Sequence, residues 1–294
     1  MNKFLERLQS GKTLVADGST GASLHKMGLK AGIPPEDLVL DAPEMVLKLE
    51  GAFVEAGSDL ILTDTFGGSR ILMQKSKYAD RAAEINKRAA ELARQAASAR
   101  DGVLVAGSIG PTGQLMKPYG PLTVAEATAA FAEQAKALAE GGVDLLVIET
   151  MFAFEEADAA FKGARSVTDL PIVVSFSYDR GVRTMMGVKP ADMFQHYKEM
   201  GAVMIGANCG TSLENMEKVQ QEYAACAEGA FPLWAKPNAG LPHLVEGETV
   251  FDVTPAQVAE YALKYVKLGA KVVGGCCGNM PEHIAAIAKS VRGL

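Results

Sequence analysis

Cysteine is scarce, with four residues in 294, too few for a scaffold built on disulfides. Aromatic residues make up 6%, with one tryptophan, Trp234, which argues against an aromatic cage for a quaternary ammonium ligand. Lysine and arginine never cluster. A net charge of −6 and a pI near 5.4 exclude the basic stripe that a nucleic-acid surface needs. No apolar run approaches the ~20 residues of a membrane span. The first residues, Met1-Asn2-Lys3-Phe4-Leu5-Glu6-Arg7, lack the apolar stretch of a secretory signal, so a cytoplasmic location is expected. Thiols stay reduced there, and clustered cysteines then point to metal or redox chemistry. There is no linker, composition break or low-complexity tract, so residues 1–294 are expected to form a single domain.

What is present is alternation. Strand-like runs end in polar or glycine turns, and helix-like segments follow them. Thr13–Ala16, Asp59–Thr63, Val103–Ala106, Leu145–Ile148, Pro171–Phe176, Ala202–Ile205, Pro232–Ala235 and Val272-Val273 read as strands. Between and after them, Pro43–Ala56, Ala79–Arg100, Thr123–Glu140, Phe154–Val167, Pro190–Met200, Leu213–Ala227, Pro255–Leu268 and Pro281–Val291 read as helices. The strands are continuous apolar runs, as expected when a parallel sheet is buried on both faces. About eight such units in a chain of this length predict a single (β/α)8 TIM barrel. A doubly wound open sheet is the alternative, but no dinucleotide glycine fingerprint follows the first strand.

In a barrel the C-terminal strand ends converge on one mouth, where active sites lie. That register gathers Asp17, Asp64, Ser108, Glu149, Ser177, Cys209, Asn238, Cys276 and Cys277 around one rim. Cys276 and Cys277 are neighbours in Gly274-Gly275-Cys276-Cys277-Gly278, and Cys209 ends the sixth strand in Asn208-Cys209-Gly210. Three thiolates brought together suit zinc, and three protein ligands leave a fourth, catalytic position open. A redox dithiol at Cys276 and Cys277, or cysteines packed as small hydrophobes, are the other readings. Glu149 directly ends a Leu-Leu-Val-Ile run, where an unpaired charge is costly. It therefore calls for a cationic partner, in the protein or in a ligand. The four histidines, His25, His196, His243 and His283, end no strand and are expected to be solvated or capping. Cys226 lies within a helix without a partner.

On these residues the chain resembles the homocysteine S-methyltransferase family. That family includes the homocysteine domain of cobalamin-dependent methionine synthase and betaine–homocysteine methyltransferase. The resemblance runs through Asp17-Gly18-Ser19-Thr20-Gly21, Thr63-Asp64-Thr65-Phe66-Gly67, Ser108-Ile109-Gly110-Pro111, Glu149-Thr150, Asn208-Cys209, Pro237–Pro242 and the double-cysteine motif. It implies a barrel, a zinc ion held by Cys209, Cys276 and Cys277, and transfer of a methyl group to the thiol of homocysteine. It also implies Glu149, with Asp17, near the substrate ammonium, and backbone N–H groups around Gly18 and Ser19 near its carboxylate. Asp64, Ser108 and Asn238 complete the expected substrate contacts. Zinc would convert a thiol with a pKa near ~8.5 into the thiolate nucleophile.

Departures from the family bear on the donor and acceptor. Thr150 stands where betaine users typically carry an aromatic residue, so betaine is disfavoured. The loops are most similar to the methionine synthase domain, yet the 294 residues hold no cobalamin module. Methylcobalamin on a separate corrinoid protein is the expected donor. The alternatives are a sulfonium donor (S-methylmethionine or S-adenosylmethionine) and a non-catalytic zinc or thiol protein that docks a corrinoid partner. Asp64 replaces the family's common Asn, and Asn279-Met280 stand where Thr is common, which could signal a different acceptor thiol.

Overall fold

Eight short apolar strands pair edge to edge in the computed structural model, which describes residues 2–245 and 248–293. They are β1 (Leu14–Val15), β2 (Leu60–Leu62), β3 (Leu104–Ile109), β4 (Leu145–Met151), β5 (Ile172–Phe176), β6 (Met204–Cys209), β7 (Leu233–Pro237) and β8 (Ala270–Val273). All pair in parallel, from β2 through β7 to β8 and then β1. A parallel bridge between Ala16 and Leu60 joins the two ends and closes the ring. Eight helices return the chain: α1 (Pro43–Glu55), α2 (Ala82–Ala97), α3 (Val124–Glu140), α4 (Phe154–Arg165), α5 (Pro190–Met200), α6 (Leu213–Ala227), α7 (Pro255–Lys267) and α8 (Pro281–Arg292). The result is a single (β/α)8 barrel, as the alternation predicts.

The side-chain period of two sorts the strand residues. Ile61, Val105, Leu146, Ile148, Val174 and Ile205 pack outward in the layer shared with the helices. Leu60, Leu62, Leu104, Ala106, Leu145, Val147, Val173, Met204, Trp234 and Val272 point inward and form a separate apolar plug. Phe4, from an N-terminal helix at Lys3–Gln9, joins that plug and is fully buried. Asn2 caps this helix and its amide donates to Asp144 O, tying the helix to the barrel.

Three features differ from the sequence reading. The segment expected as one helix from Ala79 to Arg100 begins as a 3-10 turn, Ala79–Arg81, and its α-helix covers only Ala82–Ala97. The glycine-rich passage after β1 contains a helix, Thr20–Lys26, because the Ser19 hydroxyl accepts from Ala22 N–H and caps it. An antiparallel pair, His243–Val245 with Glu248–Val250, lies in the loop after β7. Among the described residues no helix is long and apolar enough to cross a membrane.

Candidate active site

The C-terminal ends of β6 and β8 bring three sulfurs together. The Sγ atoms of Cys209, Cys276 and Cys277 lie within 4.8 Å of one another, with Cys209 and Cys276 at 2.9 Å. All three thiols are free, and Cys277 is the most exposed. Backbone pairing shapes the loop. Gly275 N–H donates to Asp17 O (3.0 Å), Cys276 N–H to Pro237 O (2.8 Å) and Cys277 N–H to Asn238 Oδ1 (3.0 Å). Gly275 must be glycine, since a Cβ there would lie 2.2 Å from the Asn279 side chain. Gly278, at φ 78°, turns the chain back in the left-handed region. Hydrogen bonds from the Cys209 and Cys276 thiols push the Cys277 thiol down to about 3. Hydrogen bonding with Cys276 and then Cys277 pushes the Cys209 thiol up.

Directly above the apolar plug lies a polar layer built by the same inward period: Ser108 on β3, Glu149 on β4, Ser175 on β5, Asn208 on β6 and Lys236 on β7. Ser108 Oγ donates to Glu149 Oε1 at 2.6 Å. Burial pushes the Glu149 carboxyl up to about 7; Lys236 opposes this and the Cys276 charge adds to it. Lys236 Nζ lies 2.6 Å from Asp17 Oδ1, and both side chains are 3% exposed. Burial alone would lower the Lys236 pKa, but the Asp17 and Glu149 charges outweigh it and hold it above its ordinary value.

Asn208 ties the cysteines to the carboxylate strand. Its Oδ1 accepts from Thr150 N–H (2.9 Å) and Ser175 Oγ (2.6 Å). Its amide donates to Thr150 Oγ1 (2.6 Å) and lies 3.6 and 3.7 Å from the Cys209 and Cys276 sulfurs. Thr150 and Cys209 both take left-handed backbone, at φ 61° and 59°. For a β-branched residue such as Thr150 this costs about 1–3 kcal/mol and persists only where surrounding contacts impose it.

The remaining residues expected at the rim divide between it and its supports. Asp17 is buried, with Lys236 on one oxygen and Leu62 N–H on the other (2.7 Å). Gly18 passes so close to Asn279 that a Cβ would lie 2.1 Å from its carbonyl oxygen. Ser19 N–H donates to that carbonyl, and its hydroxyl caps the helix that follows. Asn238 divides its amide between Cys277 N–H and Gly210 O, which makes it a support of the cysteine loops.

Asp64 is buried, with buried Glu36 and Glu50 as its charged neighbours. Asp64 Oδ2 and both Glu50 oxygens find no partner among the described residues. Burial, followed by the neighbouring acids, pushes both groups well above the ordinary carboxyl range. Acids with raised native pKa contribute stability that is complete below about pH 4 and is lost as pH rises through the raised values. Asp64→Asn should therefore raise Tm at pH 8 by about 2–4 °C and change it little at pH 5. Thermal melts at the two pH values check this, and equal shifts at both would contradict it.

The family description "homocysteine S-methyltransferase" matches residues 14–291. The chain belongs to this family. Among solved structures, the metallated form of the homocysteine methyltransferase MmuM from Escherichia coli is 22% identical. The match covers 98% of this chain and 99% of that one, with a TM-score of 0.82. The oxidized form of the same protein is 24% identical over 98% and 99%, with a TM-score of 0.80. A methyltransferase from Methanosarcina mazei is 14% identical over 99% and 97%, with a TM-score of 0.64. At these identities the likeness establishes the barrel.

Within this family member, three site residues were missed from sequence. Lys236, Asn208 and Ser175 lie one inward step beyond the plug residues Trp234, Met204 with Gly206, and Val173. The period of two, carried to the end of each strand, would have found all three. Counting only which residue ends each run passes over them.

Proposed function

We propose that the chain catalyses zinc-dependent methyl transfer to the thiol of homocysteine, giving methionine, with the methyl group presented by a separate corrinoid protein. The observation that carries this reading is the three-sulfur cluster at the barrel mouth, with one sulfur exposed. Three free thiols this close, on loops pinned by backbone hydrogen bonds, fit a soft tetrahedral ion and leave one position for an acceptor. Zinc bound there would lower the acceptor thiol's pKa and hold the sulfur as a thiolate near neutral pH.

The chain's own groups do the rest. Asn208, with its amide close to two of the sulfurs, orients the ligand set. Glu149, to which only Ser108 donates among the described residues, is the carboxylate open to an acceptor's ammonium. Holding the far end of the acceptor aligns its sulfur with the incoming methyl carbon. A protein-borne donor is supported by the rim. Phe66 (41% exposed), Leu115 (52%), Tyr119 (73%), Met186 (43%) and Leu241 (60%) stand on loops after β2, β3, β5 and β7. A small sulfonium donor has no use for so much exposed apolar surface around the mouth.

The test is a donor screen on the zinc-loaded chain. Homocysteine is supplied with methylcobalamin, S-methylmethionine, S-adenosylmethionine or betaine in turn, and methionine is measured. Methylcobalamin should exceed every other donor by about tenfold or more in kcat/KM. Turnover with a sulfonium donor alone would remove the corrinoid reading. No methionine from any donor would point to another acceptor or to a required partner protein. A reversible Cys276–Cys277 disulfide with activity in metal-free protein would favour a redox dithiol instead.

A further inference from the structure

Three arginines far apart in sequence, Arg7, Arg100 and Arg292, meet at the end of the barrel opposite the sulfurs. Arg7 comes from the N-terminal helix, Arg100 from the turn before β3 and Arg292 from the last turn of α8. Asp59, the residue before β2, stands between them. Its Oδ1 lies 3.5 Å from Arg7 Nη2, 3.7 Å from Arg100 Nη2 and 3.4 Å from Arg292 Nη2. Its other oxygen accepts from Val15 N–H at 3.0 Å. Asp59 and Arg100 precede their strands, whereas the cysteines end or follow theirs, so the two groups occupy opposite faces of the barrel.

One carboxylate does not balance three guanidiniums. Burial, joined by the fields of Arg292 and Arg7, holds Arg100 below its ordinary value despite Asp59. A carboxylate that only clamped the chain would need one arginine, and a second and third add repulsion. The guanidiniums are also held in place. Arg7 Nη1 donates to Gly102 O at 2.9 Å, Arg100 Nη2 to Ser58 O, and Arg292 Nη2 to Gly57 O at 2.6 Å. Glycine lets two of them seat closely: a Cβ at Gly57 would lie 3.0 Å from Arg292 Nη1, and one at Gly102 would lie 3.2 Å from Arg7 Nη1. A guanidinium carries five N–H donors, more than these contacts take up. The side chains of Arg7, Arg100 and Arg292 are 35%, 35% and 49% exposed, so a ligand can reach those donors from solvent.

We propose that this cluster is a binding site for the dianionic phosphate group of a small molecule, separate from the transfer site. Planar guanidinium forks match phosphate oxygens in pairs, and a dianion offsets the positive charge that Asp59 leaves unbalanced. The chain as a whole carries a net charge of −6, so this local excess is not part of a general basic surface. The site stands independently of the reading of the sulfur cluster.

The experiment is titration calorimetry of the full chain with inorganic phosphate at constant ionic strength, with chloride as the screening control. One phosphate per chain should bind with a Kd of about 1 mM or tighter. Arg292→Gln removes one cation from the most exposed arm and should weaken phosphate by about fivefold or more. Asp59→Asn removes the competing carboxylate and should tighten it by about threefold or more. Glycerol 3-phosphate binding tighter than inorganic phosphate would support the site and mark its ligand as an organic monoester; weaker but saturable binding would support it and mark free phosphate. The proposal is overturned if phosphate saturates no site at about 1 mM or below, or if Arg292→Gln, folded by circular dichroism, binds within about fivefold of the wild type. Should Arg292→Gln fail to fold, Asp59→Asn decides, and an affinity that does not rise there overturns the proposal.

Discussion

Cys209→Ser is expected to leave the protein folded and take away its metal. The substitution exchanges one sulfur for an oxygen at the end of β6, above the apolar plug and outside it. Serine tolerates the left-handed φ of 59° about as well as cysteine, so the fold should lose less than about 1 kcal/mol. The ligand set suffers far more. A serine hydroxyl stays protonated at neutral pH and is no soft donor, and the remaining pair, Cys276 and Cys277, are adjacent residues on one loop. Bound zinc should fall from about one per chain to below about 0.2, and methyl transfer should fall by about a thousandfold or more. Metal analysis after dialysis, with circular dichroism as the fold control, reads both effects. Cys226→Ser is the internal comparison: Cys226 lies on α6 outside the three-sulfur group, so zinc content should not change. Full zinc retention in Cys209→Ser would show that the three sulfurs are not one centre.

The barrel was legible because its signals are local and redundant. Each apolar run is bounded by a turn, and the helices open with caps such as Thr123 with Glu126 and Thr254 with Gln257, or with a proline as at Pro43, Pro190 and Pro281. The cysteine centre was legible for a different reason. Two neighbouring thiols among three glycines are rare enough to demand an explanation, and strand order alone places Cys209 at the same mouth. What escaped were groups whose role depends on what stands across the barrel. Lys236 looks like an ordinary strand lysine until Asp17, far away in sequence, closes on it. That the Asn238 amide is shared between two cysteine loops is likewise invisible until both loops meet at the mouth. The helix at Thr20–Lys26 escaped because glycines at 18, 21 and 28 read as loop, whereas a single Ser19 cap suffices to start a turn that Leu24 then buries.

Asn208→Ala should combine the second-largest loss of function with a measurable loss of stability. In the wild type one buried side chain accepts from Thr150 N–H and Ser175 Oγ, donates to Thr150 Oγ1, and lies within 3.7 Å of two of the sulfurs. Alanine leaves the Thr150 N–H and the Ser175 hydroxyl without that acceptor, at about 1–3 kcal/mol for each buried group left unpaired. It also removes the contacts that hold Thr150 at φ 61°. A net cost of about 3 kcal/mol corresponds to a fall in Tm of about 6–12 °C. Metal affinity should drop by about 10–100-fold, as when other outer-shell groups that orient ligands are removed. Pairing the change with Thr150→Gly separates the two roles. Glycine takes positive φ without strain, so the double variant should recover about 1 kcal/mol of the lost stability. It cannot restore an amide beside the Cys209 and Cys276 sulfurs, so metal affinity should stay low. Tm and zinc affinity measured on the four proteins of this cycle decide the matter. If the double variant regained metal affinity along with Tm, Asn208 would act on the centre only through the backbone at Thr150. If Asn208→Ala lost stability but bound zinc like the wild type, the amide would have no part in orienting the sulfurs.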